Sequence, residues 1–98
     1  MWWISGVLLL LLASPSAAKV ETRMIQWDYE ASVMPEGFVL EACLVKKTGC
    51  AWKPTQVLQP TQRKAVVAIV EGLERCFQVW AIQGPRKAGP SNTLCLSE

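Results

Sequence analysis

The segment Cys76-Phe77-Gln78-Val79-Trp80-Ala81-Ile82 decides the fold class. Along it, one set of alternate positions is entirely apolar, and the other set includes a polar residue. Successive side chains of a β-strand point to opposite faces, so Phe77 and Val79 share one face. Gln78 and Trp80 share the other face. The apolar pair is predicted to face a core, and the mixed pair is predicted to lie on the outer side of a sheet.

Short runs of the same kind lie on both sides of this segment, and no part of the chain after Lys19 keeps a helical apolar repeat over three turns. Turns rich in Pro, Gly, Asn and Lys separate the runs, which are 20–29, 38–45, 51–58, 65–70, 76–82 and 91–96. About six short strands at this spacing predict an all-β chain folded as a two-layer sandwich. The predicted core residues are Ile25, Trp27, Phe38, Leu40, Val70, Leu73, Phe77 and Val79.

The N-terminal segment is predicted to be an export signal. Residues 4–13 are apolar, but a membrane-spanning helix needs about 20 such residues. Ser16 and Ala18 match the small residues that signal peptidase reads, so residues 1–18 are predicted to be removed and 19–98 to form the domain. No Lys or Arg precedes the apolar run, and the alternative is an uncleaved anchor that holds the domain at the membrane.

All four cysteines lie after the predicted signal, at Cys43, Cys50, Cys76 and Cys95. An even number of cysteines in a small exported domain indicates disulfides, and their spacing lacks the close Cys pair of a zinc site. We therefore expect two structural disulfides and secretion to a periplasmic or extracellular compartment.

The strand pattern predicts which cysteines pair. If the last two strands form a hairpin with Ile82 opposite Gly89, Cys76 lies opposite Cys95, and both cysteines lie on the face away from the core. The remaining pair is Cys43–Cys50, which flanks the tight turn 46–49.

Several short motifs together resemble the fibronectin type III domain. In chain order they are Ile25-Gln26-Trp27-Asp28, Gly37-Phe38-Val39-Leu40, Val66 with Ala68, Val70 and Gly72-Leu73, Phe77-x-Val79-x-Ala81, and Gly89-Pro90-Ser91-Asn92. The likeness covers residues 20–97, and the cysteines before Phe77 and after Asn92 are similar to those of disulfide-bearing bacterial variants.

The resemblance implies an immunoglobulin-like sandwich of two sheets, without cofactor or catalytic activity. The family's first strand, strand A, has no room before Val20, so it is expected to be short or missing. Fold analogy leaves the role of the domain open, because such domains serve as spacers, scaffolds and binding modules.

Composition removes several classes of function. The 98 residues carry a net charge of +2 and no histidine, and no motif sets a base beside a nucleophile. We therefore expect no catalysis, no metal ligation and no cofactor. The small net charge and the absence of a basic stripe argue against nucleic acid as a partner.

Two tryptophans are the candidate binding residues. Trp80 and Gln78 lie on the outer face of their strand, and Trp52 lies on a weak strand that carries Pro54. Such a face suits adhesion to a protein or a glycan, because indoles anchor partners and stack on sugar rings. In a purely structural role, the same tryptophans would cover the Cys76–Cys95 bridge and a sheet edge.

The alternative function is a structural interaction through a sheet edge. Without strand A, the strand 20–29 would expose unpaired backbone donors and acceptors, to which another chain can add a strand.

Overall fold

The computed structural model describes residues 3–8, 19–30 and 34–97. These residues contain strands and no helix, so none of them forms a helix long and apolar enough to cross a membrane. The strands are β1 (Trp3–Leu8), β2 (Val20–Asp28), β3 (Gly37–Leu44), β4 (Lys53–Leu58), β5 (Lys64–Val70), β6 (Glu74–Gln83), β7 (Arg86–Ala88) and β8 (Leu94–Ser97).

The strands form two antiparallel sheets, which confirms the predicted all-β, two-layer arrangement. The smaller sheet has the order β1-β2-β5. The larger sheet has the order β4-β3-β6-β7, and β8 also pairs with β6 beyond the end of β7. The apolar faces of both sheets meet in one buried cluster.

Six of the eight predicted core residues lie in this cluster: Ile25, Trp27, Phe38, Leu40, Phe77 and Val79. Trp27 comes from the smaller sheet and Phe38 from the larger one, and their ring centroids lie 5.6 Å apart in an edge-to-face arrangement. Tyr29 contacts the same Phe38 ring edge-on at 5.4 Å. These rings therefore join the two layers directly.

The prediction was wrong for the other two core residues. Val70 and Leu73 are 36% and 41% exposed, whereas Val67 and Ile69 of β5 are buried. The run is apolar on both faces of β5, so alternation alone could not show which set points inwards. Leu73 lies in the turn between β5 and β6, beyond the sheet, where Gly72 takes a positive φ of 82°.

The hairpin between β6 and β7 turns earlier than predicted. Gly84-Pro85 forms a two-residue turn, with Gly84 at a φ of 62°, and Ile82 lies opposite Lys87. The prediction placed Ile82 opposite Gly89, so the register of β7 differs from the predicted one.

The pairing of β8 with β6 has the predicted register, and hydrogen bonds between Ser91 and Val79 precede it. The Ser91 N–H donates to the Val79 carbonyl at 2.9 Å. The Val79 N–H donates to Ser91 Oγ, also at 2.9 Å, so a hydroxyl takes the role of a strand carbonyl. Beyond this irregularity Cys76 lies opposite Cys95, as predicted.

The N-terminal segment occupies the edge that was expected to be open. β1 lies antiparallel to β2, with Ile4 opposite Trp27, and Ile4 is only 3% exposed. The expectation that this edge lacks a strand, with strand A short or missing, is therefore wrong for the full chain, because β1 pairs with β2 there. The predicted cleavage site at Ser16 and Ala18 lies outside the described residues, and removal of residues 1–18 stays a prediction.

Replacement of Trp27 tests its role as the link between the layers. Trp27→Ala should lower the free energy of unfolding by about 3–5 kcal/mol, because it leaves a cavity against Phe38. The Trp27 indole N–H is buried, and it has no hydrogen-bond partner among the described residues. Trp27→Phe removes this unpaired donor and keeps a ring, so its loss should stay below about 2 kcal/mol. Urea unfolding measures both variants, and equal losses would contradict the packing role of the ring.

Candidate functional site

The two disulfides lie side by side on the outer face of the larger sheet. They join Cys43 to Cys50 and Cys76 to Cys95, as predicted. Cys43 lies opposite Cys76 in the register of β3 and β6, and the sulfur atoms of Cys43, Cys50 and Cys76 lie within 4.8 Å of one another. The described residues include no free cysteine, so every thiol is already taken up in a bridge.

Each disulfide closes a local structure. Between Cys43 and Cys50, Lys46 and Gly49 exchange two backbone hydrogen bonds of 3.0 Å, and Gly49 has a φ of 120°. The Cys76–Cys95 bridge spans 19 positions and fixes β8 to β6, which on the loop-entropy account contributes roughly 3 kcal/mol. Two such bridges indicate an oxidising, extracellular environment.

Gln78 and Trp80 share one acceptor on the neighbouring strand. Glu41 of β3 lies opposite Gln78. Glu41 Oε1 accepts a hydrogen bond from Gln78 Nε2 at 2.8 Å and one from Trp80 Nε1 at 2.6 Å. Gln78 is only 8% exposed, so it supports Trp80 and is not available for contact with a partner. This corrects the prediction that Gln78 belongs to a binding face.

A lysine on the adjoining strand covers the Trp80 ring. Lys87 Nζ lies 4.8 Å from the ring centroid, within the range of a cation–π contact. Glu41 therefore holds the indole by its N–H, and Lys87 holds it by a ring face. The sequence places Glu41 on the outer face of β3, but its position opposite Gln78 follows only from the pairing of β3 with β6.

An apolar row crosses three strands beside this tryptophan. Val39 of β3 lies between Val57 of β4 and Trp80 of β6 in the sheet register. Val57 is 78% exposed, Val39 and Trp80 are partly exposed, and adjacent strands lie about 4.8 Å apart. We call the surface formed by Val39, Glu41, Val57, Trp80 and Lys87 the outer patch.

The structure does not bring Trp52 to this patch. Trp52 is partly exposed and precedes Lys53, which lies opposite Ala42, whereas Trp80 lies opposite Val39. At about 3.3 Å per residue, this register separates the two tryptophans by roughly 10 Å or more along the strands. Among the ring contacts of the described residues, none joins Trp52 to Trp80.

A groove of about 900 Å³ lies between the edges of the two sheets, beside the Cys43–Cys50 loop. Lys46, Lys53 and Arg75 line it, and the described residues around it include no Asp or Glu. Arg75 also donates to the Ala68 carbonyl at 2.8 Å, which satisfies a backbone acceptor on the free edge of β5. The tight turn 46–49 thus borders a groove whose charged lining residues are positive.

No protein-family model matches the chain, and no curated protein matches it. A solved structure described as "Myokine structure" is similar, with a TM-score of 0.59 and 15% sequence identity. The likeness covers 87% of this chain and 95% of that chain. At this identity it shows a shared fold and nothing about activity or partners.

Replacement of Glu41 tests how Trp80 is held. Glu41→Ala removes the acceptor of two hydrogen bonds, one of which comes from the buried Gln78 amide, and should cost roughly 1–3 kcal/mol of stability. The Trp80 indole proton should shift in NMR spectra and exchange faster with solvent. Glu71→Ala, at an exposed turn, is the matched control and should change stability by less than about 0.5 kcal/mol. An unchanged Trp80 indole resonance in Glu41→Ala would contradict the assignment.

Proposed function

We propose that this chain is an exported, non-catalytic domain of the fibronectin type III type that binds a protein partner through the outer patch. Three strands in one sheet and five in the other, with the tryptophan on β2, support the family proposal. The motifs that resemble the family in chain order support it as well, and the two disulfides support export.

The observation that carries the binding proposal is the exposed row on the larger sheet. Val57 remains 78% exposed beside Val39 and Trp80, with Glu41 and Lys87 at the margins of the row. An apolar strip that includes a tryptophan and is bordered by charged groups has the composition of a protein-binding surface. Burial of Val57 and the free part of Trp80 would provide the binding energy.

The same geometry favours a protein over a glycan. A sugar stacks on the flat face of an indole, but Lys87 Nζ already lies 4.8 Å from the Trp80 ring centroid. The indole N–H is also bound, because it donates to Glu41. A partner therefore meets the edge of a fixed ring together with the Val57 side chain, which suits apolar side chains of another protein.

Several features argue for binding without catalysis. The chain has no histidine, and Glu41 Oε1, the acidic group of the patch, accepts two hydrogen bonds from neighbouring side chains. A general base needs a lone pair directed at the substrate, and a nucleophile needs a base within hydrogen-bond reach. A carboxylate engaged in this way is suited to position Trp80.

A charge placed at the centre of the patch tests the proposal. Val57→Asp should raise the Kd for the partner at least tenfold, because it buries an unpaired carboxylate in the interface. Val66→Asp is the matched control, since Val66 is an exposed valine on the smaller sheet. Partners are captured from the exported fraction with the wild-type domain and then measured as purified proteins by calorimetry.

The result that supports the proposal is a partner lost with Val57→Asp and retained with Val66→Asp, while both variants keep the wild-type melting temperature to within a few degrees. A partner that binds both variants equally would show that the outer patch is not the binding surface. A glycan array on which binding depends on Trp80 would contradict the choice of a protein partner.

A further inference from the structure

β1 has hydrogen-bond partners on both sides, β2 on one and the Asn92 side chain on the other. Ile4 lies opposite Trp27, whose N–H donates to the Arg63 carbonyl at 2.8 Å and so points away from β1. In an antiparallel pair of this kind, the backbone groups of both residues point outwards. The outward groups of Ile4 bind one side chain: Ile4 N–H donates to Asn92 Oδ1 at 2.7 Å, and Asn92 Nδ2 donates to the Ile4 carbonyl at 3.3 Å.

The Asn92 side chain therefore supplies β1 with the backbone hydrogen bonds that a neighbouring strand would supply. It follows Ser91, whose hydrogen bonds with Val79 fix it to the larger sheet, so the amide reaches β1 from the opposite layer. The resulting groove has the edge of β2 on one side and the Asn92 amide on the other. An extended segment laid in it has backbone partners on both of its edges.

The groove also selects side chains on its inner face. Ile4 is 3% exposed and packs in the same cluster as Ile25 and Trp27. Two residues on, a β-carbon at Gly6 would lie 3.4 Å from Leu94 Cδ2 and 3.5 Å from Leu96 Cδ2. An alanine would fit there at ordinary contact distances, whereas a larger side chain would have to displace the ends of Leu94 and Leu96. The inner face thus accepts a branched apolar residue followed, two positions later, by glycine or alanine.

Processing would empty this groove. The predicted cleavage after Ala18 falls in the connection between β1 and β2, so cleavage would separate β1 from the domain. It would also leave Ile25 and Trp27 without the cover of Ile4, and leave Asn92 and the edge of β2 without backbone partners. Apolar surface and unpaired backbone groups together favour the uptake of a new strand.

We propose that the processed domain carries a strand-acceptor groove between β2 and Asn92, and that it takes an extended, uncharged segment of a partner protein. The segment runs antiparallel to β2 and has the pattern branched apolar residue, any residue, glycine or alanine. The proposal rests on the export and cleavage proposed above, but it does not use the outer patch.

A second copy of the domain is a poor occupant of the groove. Pairing of β2 with β2 of another copy would bring Arg23, Ile25 or Trp27 to the inner position that Gly6 fills. Each of these side chains would have to displace the ends of Leu94 and Leu96, which a glycine leaves in place. The sequence of β2 contains neither glycine nor alanine, so it does not supply this pattern.

The test uses the protein recovered from the exported fraction, whose N-terminus is first read by intact mass. A capped peptide with the sequence of residues 3–8, Trp-Ile-Ser-Gly-Val-Leu, is then titrated in. We expect saturable binding, a melting temperature that rises with peptide concentration, and slower hydrogen exchange at the amides of Met24 and Gln26 on β2. If the processed domain is unfolded alone, the peptide should restore its folded spectrum. The same peptide carrying the substitution Gly6→Val should bind more weakly, because its side chain would have to displace the ends of Leu94 and Leu96.

A protein variant tests the clamp itself. Asn92→Ala should weaken peptide binding about tenfold, as expected for the loss of two hydrogen bonds. Thr93→Ala, at the exposed neighbouring position, is the control and should bind the peptide as the wild type does. Val57→Asp should also bind it normally, so failure of the outer patch and failure of the groove can be told apart.

Four outcomes would overturn the proposal. The first is an exported protein that retains residues 1–18, because its groove is never vacated. The second is a processed domain that the peptide neither stabilises nor folds. The third is equal binding of the unaltered peptide and the Gly6→Val peptide. The fourth is a processed domain that forms dimers in which β2 amides are protected without peptide, since a second copy would then be the occupant.

Discussion

The register between β3 and β6 determines both faces of the larger sheet. On the inner face, Phe38 lies opposite Ala81 and Phe77 lies opposite Ala42, so each ring has a small residue across from it. This alternation lets two aromatic rings pack in one core with the smaller sheet. On the outer face, the same register sets Glu41 opposite Gln78 and brings the tryptophan two residues further along into reach of the same carboxylate. A shift by one residue would reverse both faces at once.

The sequence predicts which face of a strand points to the core only where the two faces differ in polarity. In β6, Gln78 interrupts the apolar repeat, and the inner and outer sets were predicted correctly. In β5, where Val66 and Val67 are equally apolar, the sequence offers no contrast, and the wrong set was chosen. The partnership of Glu41 with Trp80 joins residues 39 positions apart. It depends on a cross-strand register that local patterns do not contain.

The N-terminal segment shows a different limit of sequence reasoning. An apolar run that suits an export signal also suits a strand that buries one face, because both depend on the same apolar side chains. Residues 4–13 were therefore predicted from composition to be a signal, while the fold also offers Ile4 a site in the core. The fit of this segment as a strand depends on the space beside Gly6 and on the hydrogen bonds of Asn92. Asn92 lies far from the segment in sequence, so local patterns do not show it. Under the proposed processing, the two roles belong to successive states of the chain and do not exclude each other.

β6 supports both of the surfaces proposed for binding. On its outer face it carries Trp80, the anchor of the outer patch. Through its backbone it holds Ser91 and, by the Cys76–Cys95 bridge, β8. These contacts in turn set the position of Asn92 and of the two leucines of β8 that line the groove beside Gly6. The outer patch lies on the larger sheet, whereas the groove lies between the edge of the smaller sheet and Asn92. The two proposals therefore assign them different chemistry, an apolar surface on the partner in one case and an extended backbone in the other. Because one strand positions both, the two proposals give the disulfide that fixes β8 a part in recognition as well as in stability.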